Sequence, residues 1–438
     1  VPTELAIHLN CCQFSYNFRF IPNEIFTAME FIRHTLPNGF QVVAEVNPLA
    51  HSTALGFFVQ TGSRDETDDV SGVSHFLEHM VFKGTPTRTT ADVNREFDEM
   101  GAHYNAFTSE ENTVYYAAVL PEYQTKAVAL WADVMRPSLR DEDFDTEKKV
   151  ILEEIRMYAD QPPFGADDRV KANHFGDHPL AKSVLGTELS VGNLPVEKMR
   201  AYFEERYSPG NMCLVAAGKV DFDELVRAAA QYCGGWKPFE VHRTTARASG
   251  CGKSECVCRD SASMEYVMEL ANAPGATDPD RYAAKLLATI VGDDSGSRLF
   301  WELVDPGHAE NASLHHYDYL GTGLFMTYLT CEPDDTPANM QRIREVYRQL
   351  HADGVNAHEL AQAKSKINSR VVLGSEKPRG RLFTVGANWL NRREYRSVAD
   401  DLATVDQITV DEINALLLQY PLTKGTGIAV GPLKELLW

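Results

Sequence analysis

The sequence predicts α+β or α/β domains in two similar halves, and three observations carry that prediction. Strand-like apolar runs alternate with helical patterns along the chain. At 438 residues the chain is too long for one small core. After a stretch from Lys237 to Glu255, rich in Pro, Arg, Ser, Gly and Lys and without apolar periodicity, the order of apolar run, polar loop and helix starts again.

Taken in order, residues 1–28 lack a basic start followed by a clean apolar block. They do not read as a secretory signal and are expected to be an N-terminal extension, either disordered or upstream sequence not normally translated. Gln41–Val46 and Thr53–Val59 read as strands, Thr61-Gly62-Ser63 breaks the pattern, and a helix is expected from near Val73. Gly101 to Leu120 reads as turn, strand, turn, strand, with the run from Tyr115 to Val119 the clearest. A long helix is expected from an Asp cap at Asp141 or Asp143, through Ile151 and Ile155, to a stop before Pro162-Pro163. A strand from Met212 to Gly218 precedes a helix over Phe222–Tyr232. The segment 237–256 is expected as a linker between domains at 29–236 and 257–438. The second half then repeats the rhythm with Glu265–Ala271, a helix near Asp280–Val291, and a Gly/Asp loop into Ser297-Arg298-Leu299-Phe300-Trp301.

Composition narrows the function. Hydrophobic content of 44% and charged content of 24% are those of a globular protein, and no run of apolar residues is long enough for a membrane span. A formal net charge of −20 argues against non-specific nucleic-acid binding and would draw in cationic peptides. Of the eight cysteines, Cys251, Cys256 and Cys258 are closest together, but their spacing and the lack of a nearby His pair do not make a zinc site. They read as free thiols in the linker, which favours a reducing compartment: a cytoplasmic location is expected, with the periplasm as the alternative.

The chemistry concentrates at His75-Phe76-Leu77-Glu78-His79. On a helix of about 3.6 residues per turn, Glu78 and His79 lie roughly 60° and 40° to either side of His75, so two imidazoles and a carboxylate share one face. A catalytic zinc needs such a face, a third protein ligand and an open position for water, and a carboxylate outside the ligand set can take a proton from that water. Glu154 is a candidate third ligand; Glu147, seven residues earlier, lies two helical turns away on the same face, and Glu153 points elsewhere. A solvated helix rich in Glu would give the same pattern, and spacing alone leaves both readings open.

The stretch from Gly72 to Thr85 resembles the signature of the M16 zinc metallopeptidases, the inverzincins. The resemblance continues through Gly101–Thr113 and Val150–Glu154, and more loosely from Met29 to the C-terminus. The length points to the short M16B subfamily, which holds the processing-peptidase subunits, the mitochondrial β subunit among them, and their bacterial relatives. The family's third ligand lies at the distance that separates Glu154 from His79, 75 positions. The resemblance therefore implies one Zn2+ per chain on His75, His79 and Glu154, with Glu78 as general base and Glu147 as supporting catalytic carboxylate. It implies an α+β fold of two homologous α/β-roll domains joined by a linker. It also implies that Asn105, Ala106, Phe107 and Thr108 bind substrate backbone as an added strand.

The chain departs from the pattern in its second half. Self-sufficient members carry an Arg and, seven residues later, a Tyr that reach toward the substrate; alignment from Ser297-Arg298-Leu299-Phe300 puts Val304 and Asn311 there. Arg298 reads as a structural arginine, and Tyr317 and Tyr319, at the wrong spacing, read as packing residues. Gly292-Asp293-Asp294-Ser295-Gly296 reads as a helix-capping turn, since two aspartates make a poor anion cradle. The expectation is a zinc endopeptidase for short or unfolded peptides, the catalytic subunit of a heterodimer whose second M16B chain supplies the Arg/Tyr pair. A homodimer is the lesser alternative, and a non-catalytic structural subunit of the core-protein type is the rival.

Overall fold

The computed structural model describes residues 29–250 and 252–436. The extension expected over residues 1–28 lies outside the described residues, as does Cys251.

The first half builds β1 (Glu30–Thr35), β2 (Gln41–Val46), β3 (Thr53–Val59), α1 (Val73–Val81), α2 (Thr90–Glu99), β4 (His103–Thr108) and β5 (Thr113–Val119). It continues with α3 (Gln124–Val134), α4 (Asp141–Asp160), α5 (Ala166–Phe175), α6 (Glu188–Asn193), α7 (Val196–Arg206), β6 (Met212–Gly218) and α8 (Phe222–Cys233). The second half holds β7 (Glu255–Cys258), β8 (Glu265–Ala273), α9 (Arg281–Gly292), β9 (Asn311–Tyr319) and β10 (Thr322–Cys331). The helices α10 (Thr336–Asp353), α11 (Ala357–Ser375), α12 (Pro378–Arg392), α13 (Val398–Gln407) and α14 (Val410–Gln419) follow, and β11 (Gly425–Gly431) closes the chain's second sheet.

The duplication suggested by the sequence is explicit in the sheets. The first has the order β1-β2-β6-β3-β5-β4 and the second β7-β11-β8-β10-β9. Without β1 the two orders correspond strand for strand. So do the directions: β2–β6 and β7–β11 are parallel, and the remaining matched pairs are antiparallel. The fold is thus α+β, with two domains of one topology.

Each sheet is covered on both faces, which is why its central strands read as unbroken apolar runs. In β3, Leu55, Phe57 and Val59 enter the core beneath α1 and α3, while Ala54 and Phe58 face the opposite way. That second face is covered by α12 from the other half, through Leu382, Val385, Trp389 and Leu390. The exchange is reciprocal: Ala166, Val170 and Phe175 of α5 pack on Met268, Leu270, Leu324, Met326, Ile428 and Val430 of the second sheet. Arg381 of α12 ties the exchange down by pairing with the buried Glu45 of β2, Nε to Oε1 at 2.7 Å, and Tyr395 donates to the same carboxylate at 2.8 Å.

Two local expectations are corrected. Asp141 is not a cap: the helix begins at Asp141 behind Arg140, and Asp141, Glu142 and Asp143 form an acidic first turn that suits the positive end of the helix dipole. Cys256 and Cys258 sit in strand β7, paired with β11, and not in irregular chain; both are free thiols. The irregular segment before β7 is anchored along the first domain, where Arg206 donates to His242 O at 2.9 Å and Arg243 pairs with Asp65.

Candidate metal centre

Helix α1 starts where it does because two backbone groups cannot be crowded. Gly72 has φ +91°, and a Cβ there would lie 2.6 Å from Leu185 O. The Glu66 carboxylate accepts from Gly72 N–H and Ser74 N–H, each at 2.7 Å, which satisfies donors at the buried start of the helix. Val73, Phe76, Leu77, Met80 and Val81 bury the inner face, and Phe76 stacks on Phe144 of α4 with ring centroids 4.6 Å apart. Those contacts fix α4 alongside α1, and the remaining faces of the two helices meet at the imidazoles.

His75 Nε2 lies 3.8 Å and His79 Nε2 3.6 Å from Glu154 Oε2, and one ligand atom from each of the three residues falls within 4.8 Å of the others. A tetrahedral ion with bonds of about 2.0–2.1 Å holds its ligand atoms about 3.3 Å apart, so the residues fit a zinc-sized cation with little adjustment. These distances are too long for hydrogen bonds; two imidazoles and a carboxylate here satisfy one another poorly without a cation. Glu147 is buried and accepts from His79 Nδ1 at 2.9 Å while pairing with Lys83 Nζ at 2.6 Å. With its proton on Nδ1, His79 presents the Nε2 lone pair to the centre. His75 Nδ1 is buried without a hydrogen-bond partner.

Electrostatics follow from burial and from the neighbours. Burial, helped by His79, pushes the His75 imidazole down to about 4, leaving it neutral at neutral pH as a metal ligand must be. Burial also acts downward on His79, but the Glu147 hydrogen bond and the nearby carboxylates outweigh it and raise its pKa. Burial acts upward on Glu147, yet the bonds from His79 and Lys83 hold its carboxyl below the ordinary range. Glu78 is raised by burial against a 2.7 Å hydrogen bond from Thr108 Oγ1.

The group opens onto a cleft of about 840 Å³. One wall is α1, α4 and Ala106, Phe107 and Thr108 of β4; the other comes from the second sheet. Strand β4 is an edge of the first sheet, and its Ala106 N–H is met by the Asn105 Oδ1 atom at 2.9 Å. The expected residues His75, Glu78, His79, Glu154 and Ala106–Thr108 therefore line one cleft, with Glu147 behind His79; Asn105 is exposed on β4 and does not line it, and Glu153 points outward to Arg156.

Val304 packs on the second core from a π-helical turn (Phe300–Val304), Asn311 opens β9, and neither lines the cleft. Arg298 is structural, donating to Glu359 at 2.7 and 2.9 Å and to Gly354 O at 2.8 Å. Asp293 of the Gly/Asp loop takes Lys366 at 2.7 Å and also Arg370. Tyr317 and Tyr319 both line the cleft; Tyr319 also packs against the cluster between α5 and the second sheet, as expected, and donates to Glu110 at 3.2 Å, whereas Tyr317, read as a packing residue, is exposed. Strand register decides this: residues 315, 317 and 319 alternate onto the cleft face of an edge strand. The Glu66 bracket and the Lys83 contact carried no local sequence signal, since both depend on chain packing. Among the described residues no helix is long and apolar enough to cross a membrane.

Comparisons with known proteins agree with the geometry. Residues 41–188 match the insulinase (peptidase family M16) model and residues 193–367 the peptidase M16 inactive domain. The chain is 35% identical over 408 residues to an uncharacterized zinc protease of Mycobacterium tuberculosis, covering 91% of this chain and 93% of that one. It is 29% identical over 394 residues to the uncharacterized zinc protease YmxG of Bacillus subtilis, covering 88% and 95%. In fold it is similar to a protease from Helicobacter pylori, with TM-score 0.84 at 21% identity over 92% of this chain and 100% of that one. A peptidase M16 inactive domain from Pseudomonas fluorescens gives TM-score 0.86 at 18% identity over 93% and 99%. By motif, fold and kinship, the chain belongs to the M16 family of zinc peptidases.

Proposed function

We propose that this chain is a zinc endopeptidase of the short M16B type, similar to the β subunit of the mitochondrial processing peptidase and its bacterial relatives. It would act on short or unfolded peptides as the catalytic subunit of a heterodimer. The observation that carries the reading is the meeting of His75, His79 and Glu154 with ligand atoms within 4.8 Å of one another, next to a half-buried Glu78 on the same helix.

His75, His79 and Glu154 would hold one zinc ion. When bound, zinc supplies a Lewis acid that acidifies water and polarises a peptide carbonyl. Glu78 accepts a proton from the attacking water and returns it to the leaving nitrogen; its raised carboxyl pKa suits a group that must hold a proton briefly. Thr108 Oγ1 keeps that carboxylate oriented from β4. Glu147 fixes the ring of His79. A substrate laid along the open edge of β4 takes its affinity from main-chain hydrogen bonds, which favours broad sequence tolerance.

The two-chain assembly is supported by Val304 and Asn311, which cannot serve as the Arg and Tyr of self-sufficient members. The test is metal analysis and peptide cleavage on wild type and Glu78→Gln, with and without the chain that co-purifies from native lysate. Zinc in both and cleavage only in wild type with its partner is the expected outcome. A chain active alone, or as a homodimer, removes the heterodimer. A zinc-loaded complex that cleaves nothing leaves a structural subunit.

A further inference from the structure

Along β4 the side chains alternate between two faces. Thr108 and Tyr104 lie on the α1 side, Thr108 on Glu78 and Tyr104 stacked on Phe97. Phe107 lies on the other side, against Phe383 of α12, with ring centroids 5.8 Å apart. Phe383 in turn meets Tyr116 at 4.9 Å and Phe58 at 6.5 Å. Phe58 is buried in the core beneath α12, Tyr116 and Phe383 are half-buried, and Phe107 is 42% exposed. An aromatic row therefore runs from the core to the open edge of the sheet, and its last ring lies at the cleft that holds His75, Glu78 and His79.

We infer that this row is a substrate subsite that takes one large apolar side chain, aromatic or leucine-like, from a peptide strand added to β4. Residues directly opposite each other on paired strands put their side chains on the same face of the sheet. The peptide residue opposite Phe107 must then present its side chain to Phe107 and Phe383, while its two neighbours face α1 and the metal-binding residues. The position thus adjoins the reacting bond, and its recognition is built by both domains, β4 of the first and α12 of the second. The inference rests on the strand-addition reading above and adds a chemical preference at one position.

The test reads binding without turnover. A fluorescein-labelled decapeptide of Thr and Ser with one central Phe, and the same peptide with a central Ser, are titrated by anisotropy into the full-length, zinc-loaded Glu78→Gln protein. Covering an exposed aromatic surface predicts that the Phe peptide binds about tenfold more tightly. Adding Phe107→Thr or Phe383→Ser reduces that ratio to about twofold or less. Phe107 is at an exposed edge, so Phe107→Thr carries the test should Phe383→Ser fail to fold. A ratio near one in the parent, or a ratio untouched by Phe107→Thr, overturns the inference. Loss of zinc, or wild type that never cleaves, counts against the peptidase reading instead.

Discussion

Replacing Glu147 with Ala probes how much of the metal site is built by a residue that touches no metal. Its carboxylate receives two bonds, from His79 Nδ1 at 2.9 Å and from Lys83 Nζ at 2.6 Å, in a site where Glu147 is 4% exposed. A buried, charge-assisted hydrogen bond contributes about 1.5–3 kcal/mol. The Lys83 side chain is 32% exposed and can return to water, so most of the loss falls on His79. Without Glu147 the imidazole can rotate and its Nδ1 proton is no longer fixed, which should weaken zinc binding about 10–100-fold, or about 1.4–2.7 kcal/mol. Competition against a chromophoric chelator at pH 7 measures this directly. Glu147→Gln, which keeps an acceptor for Nδ1–H but loses the charge, should fall between wild type and Ala. Zinc affinity within twofold of wild type in a folded Glu147→Ala protein would refute the reasoning.

Three further outcomes are expected. Glu111→Ala strips the carboxylate from the buried Arg64 (2.6 Å) and from the Leu320 N–H (3.0 Å), which together hold the β9–β10 turn against the first domain; an unpaired buried charge should cost about 3–5 kcal/mol, read as a lower urea midpoint, and an unchanged midpoint would count against that anchoring role. Gly72→Ala forces a Cβ to 2.6 Å from Leu185 O at φ +91°, so it should lower the melting temperature and weaken zinc binding together, whereas a neutral change would mean the loop at Leu185 moves freely. In metal-free protein, His75 titrates at about 4 when folded and 6.5 when unfolded, so the unfolded chain binds more protons between those values. The associated stability, about 3 kcal/mol at most, is complete above pH 6.5 and is lost as pH falls toward 4. A matched pH series on metal-free His75→Asn should lack that slope; identical slopes would remove the assignment.

Much of the fold was legible because its signals are local. The runs at 41–46, 53–59 and 212–218 are apolar throughout since both sheet faces are covered, and the motif helix begins where Gly72 and Val73 indicate. The eye is misled where a residue's role depends on what lies across from it. Asp141 reads as a cap but stands inside the first turn, and Cys256 and Cys258 read as linker residues until β11 pairs with their strand. Tyr317 reads as packing because alternation alone cannot say which face of an edge strand meets a cleft.

The sequence by itself determined the chemistry at α1. His75, Glu78 and His79 are held on one helical face by the period of the helix, and no partner is needed to know that they point together. Glu147 and Glu154 shared a face for the same reason, but nothing in their spacing said that this face meets the imidazoles. That was decided by packing: Phe76 on Phe144, with Glu66 bracketing the start of α1. Tertiary structure alone decided that α5 and α12 exchange sheets, because each covers an apolar face made by strands far away in the chain. That exchange fixes the second sheet beside the first and gives the metal-binding face a cleft to work in.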